Sequence, residues 1–214
     1  MTPFINSPES MEQAIRELGI VPFFSNRIPG YSIQEMTVPG CWFGGDGNPL
    51  GPWDWKIECL HCGDIAYGKY LCGGKAAFAT VKWYKELMNV RRSSSTPDAQ
   101  GKAIMDFVNQ FGSIGIKEVR GLLGIKKSAA DAAVTRLQQQ CRLVTGDITR
   151  IYRGQFLTYN GWQVSSFCDP ADYFMDYSLD CGRSPKESRE LIIKHLEEVL
   201  PFPASREEIL RILK

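Results

Sequence analysis

Ile116-Lys117-Glu118-Val119-Arg120-Gly121-Leu122-Leu123-Gly124-Ile125-Lys126-Lys127-Ser128-Ala129-Ala130-Asp131-Ala132-Ala133-Val134-Thr135-Arg136-Leu137-Gln138-Gln139 decides the fold. Ile116, Val119, Leu122 and Leu123 recur at helical spacing, and Gly124 closes that helix. Ser128 is the expected N-cap of the next, which turns Ala130, Val134, Leu137 and Cys141 inward. Upstream, Ile104, Phe107, Val108 and Phe111 line one face of an earlier helix that stops at Gly112. Downstream the pattern changes to strand-like alternation: Leu143-Val144, a Thr145-Gly146-Asp147 turn, Ile148, Ile151, then Gly154 and Phe156 to Tyr159. Three helices followed by a hairpin is the order of a winged helix, here spanning residues 98–167.

With its apolar stripe turned to the core, rotation of about 100° per residue puts Ser128, Ala132, Thr135, Arg136 and Gln139 on or near the opposite face of the third helix. That face is small, polar and singly basic. A helix entering the major groove needs short side chains for close approach and amides, hydroxyls or guanidinium groups for base edges. Lys126 and Lys127 at the helix start, and Arg150 and Arg153 in the wing, fall where backbone phosphates pass. The alternative is a solvated helix face on a protein-contact scaffold.

Charge separates the two readings. From Ala99 to Ser165 there are nine Lys and Arg against four Asp and Glu, a balance of +5, whereas the flanking segments are slightly acidic. The formal net charge of +1 therefore hides a basic centre, and local excess is what phosphate neutralisation requires. The 214 residues, 43% of them hydrophobic, suffice for one or two globular domains. The absence of a long apolar run, and of a basic segment followed by a hydrophobic one, predicts a soluble cytoplasmic protein with no membrane partner. Seven scattered cysteines fit reduced thiols better than a disulfide framework.

Ahead of the winged helix, residues 1–97 read as an α/β region. Ser10 and Gln13 are spaced as a capping box for a helix that buries Met11, Ala14, Ile15 and Leu18 and stops at Gly19. Ser32 to Glu35 repeats the capping pattern, and a degraded second winged helix is one reading of this order. Pro39 to Trp55 packs glycines around four aromatic rings and reads as a tight loop. Either its tryptophans clamp it to the body, or Trp53 and Trp55, with Lys56 beside them, form a stacking platform for a base. A hairpin follows, Asp64 to Tyr70 and Lys75 to Val81, then a short helix from Lys82 to Asn89 and a polar linker, Arg91 to Asp98. Cys59, His61, Cys62 and Cys72, with Cys41, suffice in number for zinc. The single C-x-x-C lacks a matching pair, so no metal is expected.

Gly51-Pro52-Trp53-Asp54-Trp55-Lys56, Gly63 to Lys69, Lys75-Ala76-Ala77-Phe78 and Arg91-Arg92 together resemble the AlkZ-related bacterial winged-helix proteins, over most of the chain from Ala14 onward. The better-known AlkZ relatives are DNA glycosylases of tandem winged helices that act with a short glutamine-containing motif. This chain is markedly shorter and that motif has no clear counterpart. Gln138-Gln139-Gln140 has the glutamine separation but belongs to the third helix. The resemblance thus implies a DNA-directed winged-helix architecture and does not imply catalysis.

Residues 168–214 read as a helical extension. Asp169, Asp172, Asp176 and Asp180 lack the glycine and glutamate of a calcium loop. Ser184-Pro185 opens a long helix with His195 on its apolar stripe, and Ser205 caps a last one that could dock on the core or on a second copy, which leaves a homodimer open. The sequence as a whole predicts an α+β protein with a central winged helix that binds double-stranded DNA as a regulator or repair-related factor, without a cofactor. One alternative is a glycosylase-like enzyme in which Trp53 and Trp55 receive a flipped base and Asp54, Asp46 or Asp64 handles a water. Another is a non-catalytic protein-interaction module. No Ser/His/Asp set can be assembled with His61 and His195 alone.

Overall fold

The computed structural model describes residues 4–42 and 51–214. Helix α1 (Pro8–Leu18) begins earlier than the Ser10 spacing implies, because Pro8, which has no amide hydrogen, suits the first turn and Ser7 caps it. Ser7 and Ser10 form the capping box, with each hydroxyl accepting from the other's amide. Strand β1 (Ile20–Pro22) lies at one edge of a sheet whose order is β1-β3-β2, where β2 is Ile65–Leu71 and β3 is Lys75–Thr80. Both pairings are antiparallel, and an edge position is one that Pro22 tolerates. Two short helices, α2 (Ile33–Met36) and α3 (Pro39–Trp42), follow β1.

The aromatic-glycine run is not one loop. Pro52 to Lys56 opens a helix, α4 (Pro52–His61), because Gly51 takes φ +47° and Pro52 supplies a preset first turn. Phe43 to Leu50, Asp46 included, lie outside the described residues. Helix α5 (Val81–Ser94) also runs further than expected and absorbs Arg91 to Ser94, read from sequence as linker. Cationic side chains suit the negative end of a helix, and here both arginines also find carbonyl partners in another element.

The central stretch is built as α6 (Ala99–Phe111), β4 (Ile114–Gly115), α7 (Ile116–Leu123), α8 (Lys127–Gln139), β5 (Val144–Arg153) and β6 (Thr158–Cys168). Its sheet order is β4-β6-β5, all antiparallel. Ile104, Val108, Ile114, Val119, Val134, Leu137 and Phe167 belong to a core of its own. Several local expectations are corrected. Phe111, the last residue of its helix, is 60% exposed and packs at a tilt on Phe107, and Leu122 is 43% exposed, turned away from the core that Val119 and Leu123 meet. Lys126, not Ser128, occupies the N-cap of α8. Cys141 lies past that helix at φ +51° and packs into the other core. The Thr145-Gly146-Asp147 segment is a bulge within β5, and the hairpin reverses after Arg153, where Gly154 takes φ +77°.

Helices α9 (Pro170–Tyr173), α10 (Pro185–Val199) and α11 (Arg206–Ile212) complete the chain. Phe174, Ile192, Ile193, Leu196, Ile209 and Ile212 enter the core built by α1 and β1–β3, so the C-terminal helices return to the N-terminal body. His195 stacks on Trp83 at 3.8 Å and bonds the Leu18 carbonyl.

Val144, Ile148 and Cys168 of β5 and β6 pack into the N-terminal core, and polar groups add to that junction. Gln138, buried on α8, accepts from the Lys69 amide and donates to Thr145, each at 3.2 Å. Gly74, at φ +93°, lets the β2–β3 turn approach α8 so closely that a Cβ there would lie 3.0 Å from the Thr135 methyl. Arg92 donates Nε and Nη2 to the Cys141 carbonyl at 3.0 and 2.9 Å, and Arg91 donates to the Gln139 and Leu213 carbonyls. Replacing Arg92 with Leu removes a doubly charge-assisted partner from one carbonyl. The variant should lose roughly 1.5 to 3 kcal/mol of unfolding free energy in urea. A loss within about 0.5 kcal/mol, the ordinary range for surface changes, would show the clasp to be idle.

Candidate nucleic-acid interface

Residues two apart on a helix point roughly 200° apart, so Trp53 and Trp55 cannot share a face. Trp55 is 4% exposed and belongs to the core, which removes it as a stacking surface. Trp53 is 38% exposed, meets Phe23 edge-on at 6.3 Å, and donates its indole N–H to the Gly161 carbonyl at 3.0 Å. Its neighbours Asp54 and Lys56 reach the same hairpin. Strand β6 presents Tyr159, Gly161 and Gln163 to α4 by its alternation, and register sets Arg150 opposite Gln163.

The centre of this contact is Asp54. Arg150 clasps it with two bonds, Nε to Oδ1 at 2.9 Å and Nη2 to Oδ2 at 2.7 Å, and Tyr159 donates to Oδ1 at 2.9 Å. Gln163 Nε2 donates to Tyr159 Oη at 2.7 Å, while Gln163 Oε1 accepts from Lys56. Lys56 Nζ also donates to the Trp53 carbonyl and sits 3.6 Å from the Trp53 ring centroid. Burial alone would push the Asp54 carboxyl up; the hydrogen bonds from Arg150 and Tyr159 and the charges of Arg150 and Lys56 outweigh it and hold the group below its usual value. Lys56 is 2% exposed, and burial takes its ammonium down to about 7, against the pull of Asp54 and with a further push from Arg150.

Beside this cluster lies a cleft of about 330 Å³ between α4, β2, α8 and β6. Trp53, Lys56, Tyr67, Gln138, Thr135 and Gln163 are among its walls. Its size is at the lower end of the range for ligand pockets, which is roughly 300 to 1,000 Å³.

The other candidates are scattered relative to this cleft. Lys126, Lys127 and Ser128 are exposed at the start of α8, and Lys127 reaches the cleft rim. Thr135 and Gln139 are half-buried and face the Gly74 turn, so protein already covers the part of α8 that sequence assigns to base edges. Arg136 bonds Asp98 at 3.2 Å and Gln100 at 3.3 Å across to α6. Arg150 is committed to Asp54, whereas Arg153 is exposed and lies 5.1 Å from the exposed ring of Trp162. Asp64 pairs with Arg16 of α1. Asp54 has both oxygens engaged. Among the described residues no three His, Cys, Asp or Glu side chains gather as metal ligands, and no helix is long and apolar enough to cross a membrane. Tyr159, Gln163 and Trp162 escaped the sequence reading. The alternation from Thr158 to Phe167 was the signal that could have placed the first two on one face.

A family model described as AlkZ related matches residues 5–214. The chain belongs to the AlkZ-related family. No curated protein and no solved structure matches it. In this AlkZ-related chain Gln138 is occupied by Lys69 and Thr145, and so acts as a joint between the two cores.

Arg150→Ala should cost roughly 1 to 3 kcal/mol in urea unfolding, since it strips a half-buried carboxylate of its partner, while Arg153→Ala should change stability by less than about 0.5 kcal/mol. Equal costs for the two would contradict the assignment of Arg150 as the clasp.

Lys56 makes a pH-dependent prediction. Below pH 7 it carries its proton in both states and the cost of burying charge is fully present. Between about 7 and its ordinary 10.5 only the unfolded chain holds the proton, so native stability rises with pH across that window. The stability of Lys56→Met relative to the unaltered protein should therefore fall by roughly 1 kcal/mol from pH 6 to pH 8. Parallel stability profiles would mean that Lys56 does not titrate there.

Proposed function

We propose that this protein is a winged-helix factor that binds double-stranded DNA in a repair-related role. The single observation that carries the reading is the order α6-β4-α7-α8-β5-β6 with β4 closing the sheet on β6, because this is the helix-strand-helix-helix-wing arrangement of DNA-binding winged helices. On this reading residues 98–167 are the winged helix. Residues 1–97 are a supporting α/β region, and 168–214 pack back upon it.

Lys126, Lys127 and Ser128 at the start of α8 and Arg153 on the wing are exposed and positioned for phosphates. The wing adds apolar and aromatic surface at Tyr152, Phe156, Leu157 and Trp162, all exposed. Base contacts fall to the first turns of α8 and to Arg136 once it leaves Asp98, since Thr135 and Gln139 are covered. Family membership supports the repair association. A glycosylase-like activity is the second reading, favoured by the half-exposed Trp53 on the wall of the cleft. Arg150 clamps Asp54, so that activity would need a water activated elsewhere than at Asp54.

Duplex affinity measured between about 50 and 200 mM salt tests the proposal. Several phosphate contacts should give a steep decline, and Arg153→Ala should weaken all duplexes alike and lower the salt slope by about one unit. Salt-insensitive affinity, or no binding at low salt, would contradict DNA binding and favour a protein-contact scaffold. Release of a base from any alkylated duplex would establish the enzymatic reading.

A further inference from the structure

We propose that the basic cleft between the β1–α2 loop, the β2–β3 turn and α11 binds a small anion with two linked phosphate groups. The inference is independent of the duplex binding proposed above.

The cleft encloses about 770 Å³, within the range of roughly 300 to 1,000 Å³ for small-ligand sites. Arg27, Lys75, Arg211 and Lys214 line it against one carboxylate, Glu208. With Lys214 set aside as the last residue, three cations remain, one from each wall: Arg27 from the loop, Lys75 from the end of the turn and Arg211 from α11. Elsewhere Arg16, Arg150, Arg183 and Arg206 each meet an aspartate or glutamate. Among the described residues no side chain answers Arg27 or Lys75. Glu208 is held at the cap of its own helix, where Oε2 accepts from the Ser205 amide at 2.8 Å and its hydroxyl at 2.7 Å. Arg211 pairs with Glu207 one turn back, but both are exposed, and such a pair yields to a stronger anion. Like charges gathered around one concavity focus a positive field there.

The walls are tied to one another. Asn26 accepts from the Ile28 amide at 2.9 Å and donates to the Tyr31 carbonyl at 2.6 Å, which pins the loop around Arg27. The Phe23 amide donates to the Ala76 carbonyl at 2.8 Å, beside Lys75, and the Cys72 amide donates to the Ile212 carbonyl at 2.7 Å, beside Arg211. The turn takes φ +50°, +74° and +93° at Cys72, Gly73 and Gly74. Gly73 lies on the cleft wall, and among the described residues its amide has no acceptor. A free amide among cations is a donor set for phosphate oxygens. Two arginines each offer a planar fork to a phosphate, and Lys75 adds a point charge. Cations on separate walls favour two linked phosphates over one, because a diphosphate meets more than one wall at once.

Calorimetric titration of the full chain with inorganic pyrophosphate at about 100 mM salt tests the assignment. One site per chain with Kd below roughly 1 mM is expected, and inorganic phosphate should bind about tenfold or more weakly. Arg27→Ala and Lys75→Ala should each raise Kd roughly fivefold or more. Both residues are exposed, so neither change threatens the fold. Arg189→Ala, at an exposed position of α10, should leave Kd unchanged. No binding at about 1 mM, equal binding of phosphate and pyrophosphate, or a Kd indifferent to both substitutions overturns the inference. Displacement of pyrophosphate by adenosine diphosphate supports a free small ligand. Displacement by a DNA duplex and not by adenosine diphosphate overturns it and makes the cleft part of a nucleic-acid surface.

Discussion

The bidentate pair between Asp54 and Arg150 is the contact on which the arrangement of the site depends. Asp54 stands on α4 of the N-terminal body, and Arg150 stands on the β5–β6 hairpin. Without that pair, a half-buried carboxylate and a guanidinium would face each other across a packed seam with no partner. Tyr159 and Gln163 follow from it, because the alternation of β6 brings both to the face that Arg150 occupies across the ladder. Lys56 follows in turn, since Gln163 accepts its hydrogen bond only while the hairpin is held against α4. The clasp therefore fixes a cleft wall as well as the seating of the hairpin on α4.

A second set of polar contacts involves α8. Gln138 satisfies the Lys69 amide and Thr145, and Arg91 and Arg92 cap carbonyls just past α8. The central core and the N-terminal core are thus joined at several places, of which Gln138 lines the cleft. These bonds also explain why α8 does not present its whole polar face. A helix that must dock on the β2–β3 hairpin spends Thr135, Gln138 and Gln139 on that contact. The start of the helix, with Lys126, Lys127 and Ser128, remains outward.

Much of the fold was legible because it is written in local signals. Helical spacing at Ile104 and Val108, the stops at Gly19, Gly112 and Gly124, and the caps at Ser32, Ser184 and Ser205 each act within one turn of the chain. Some errors were local, as at the caps of α1 and α8, and others lay where the context of a residue decides its place. Arg91 and Arg92 look like linker until the Cys141 and Gln139 carbonyls are known to lie beside them. Trp55 looks like a platform until Pro52 starts a helix that rotates it into the core. Of the candidate site, Trp53, Asp54, Lys56 and Arg150 were singled out separately, but nothing in their spacing shows that residues nearly a hundred positions apart form one cluster. Gln163 and Tyr159 carried no signal beyond alternation.

The central claim is that α4, the start of α8 and the wing hairpin form one surface that receives DNA. Ultraviolet cross-linking of the full chain to a bromouracil-substituted duplex, followed by peptide mapping, tests it most directly. Cross-links should fall on peptides from Trp53 to His61, from Lys126 to Ala132 and from Tyr152 to Val164. Cross-links confined to α1, α10 or α11, or none at a salt concentration that permits binding, would contradict it.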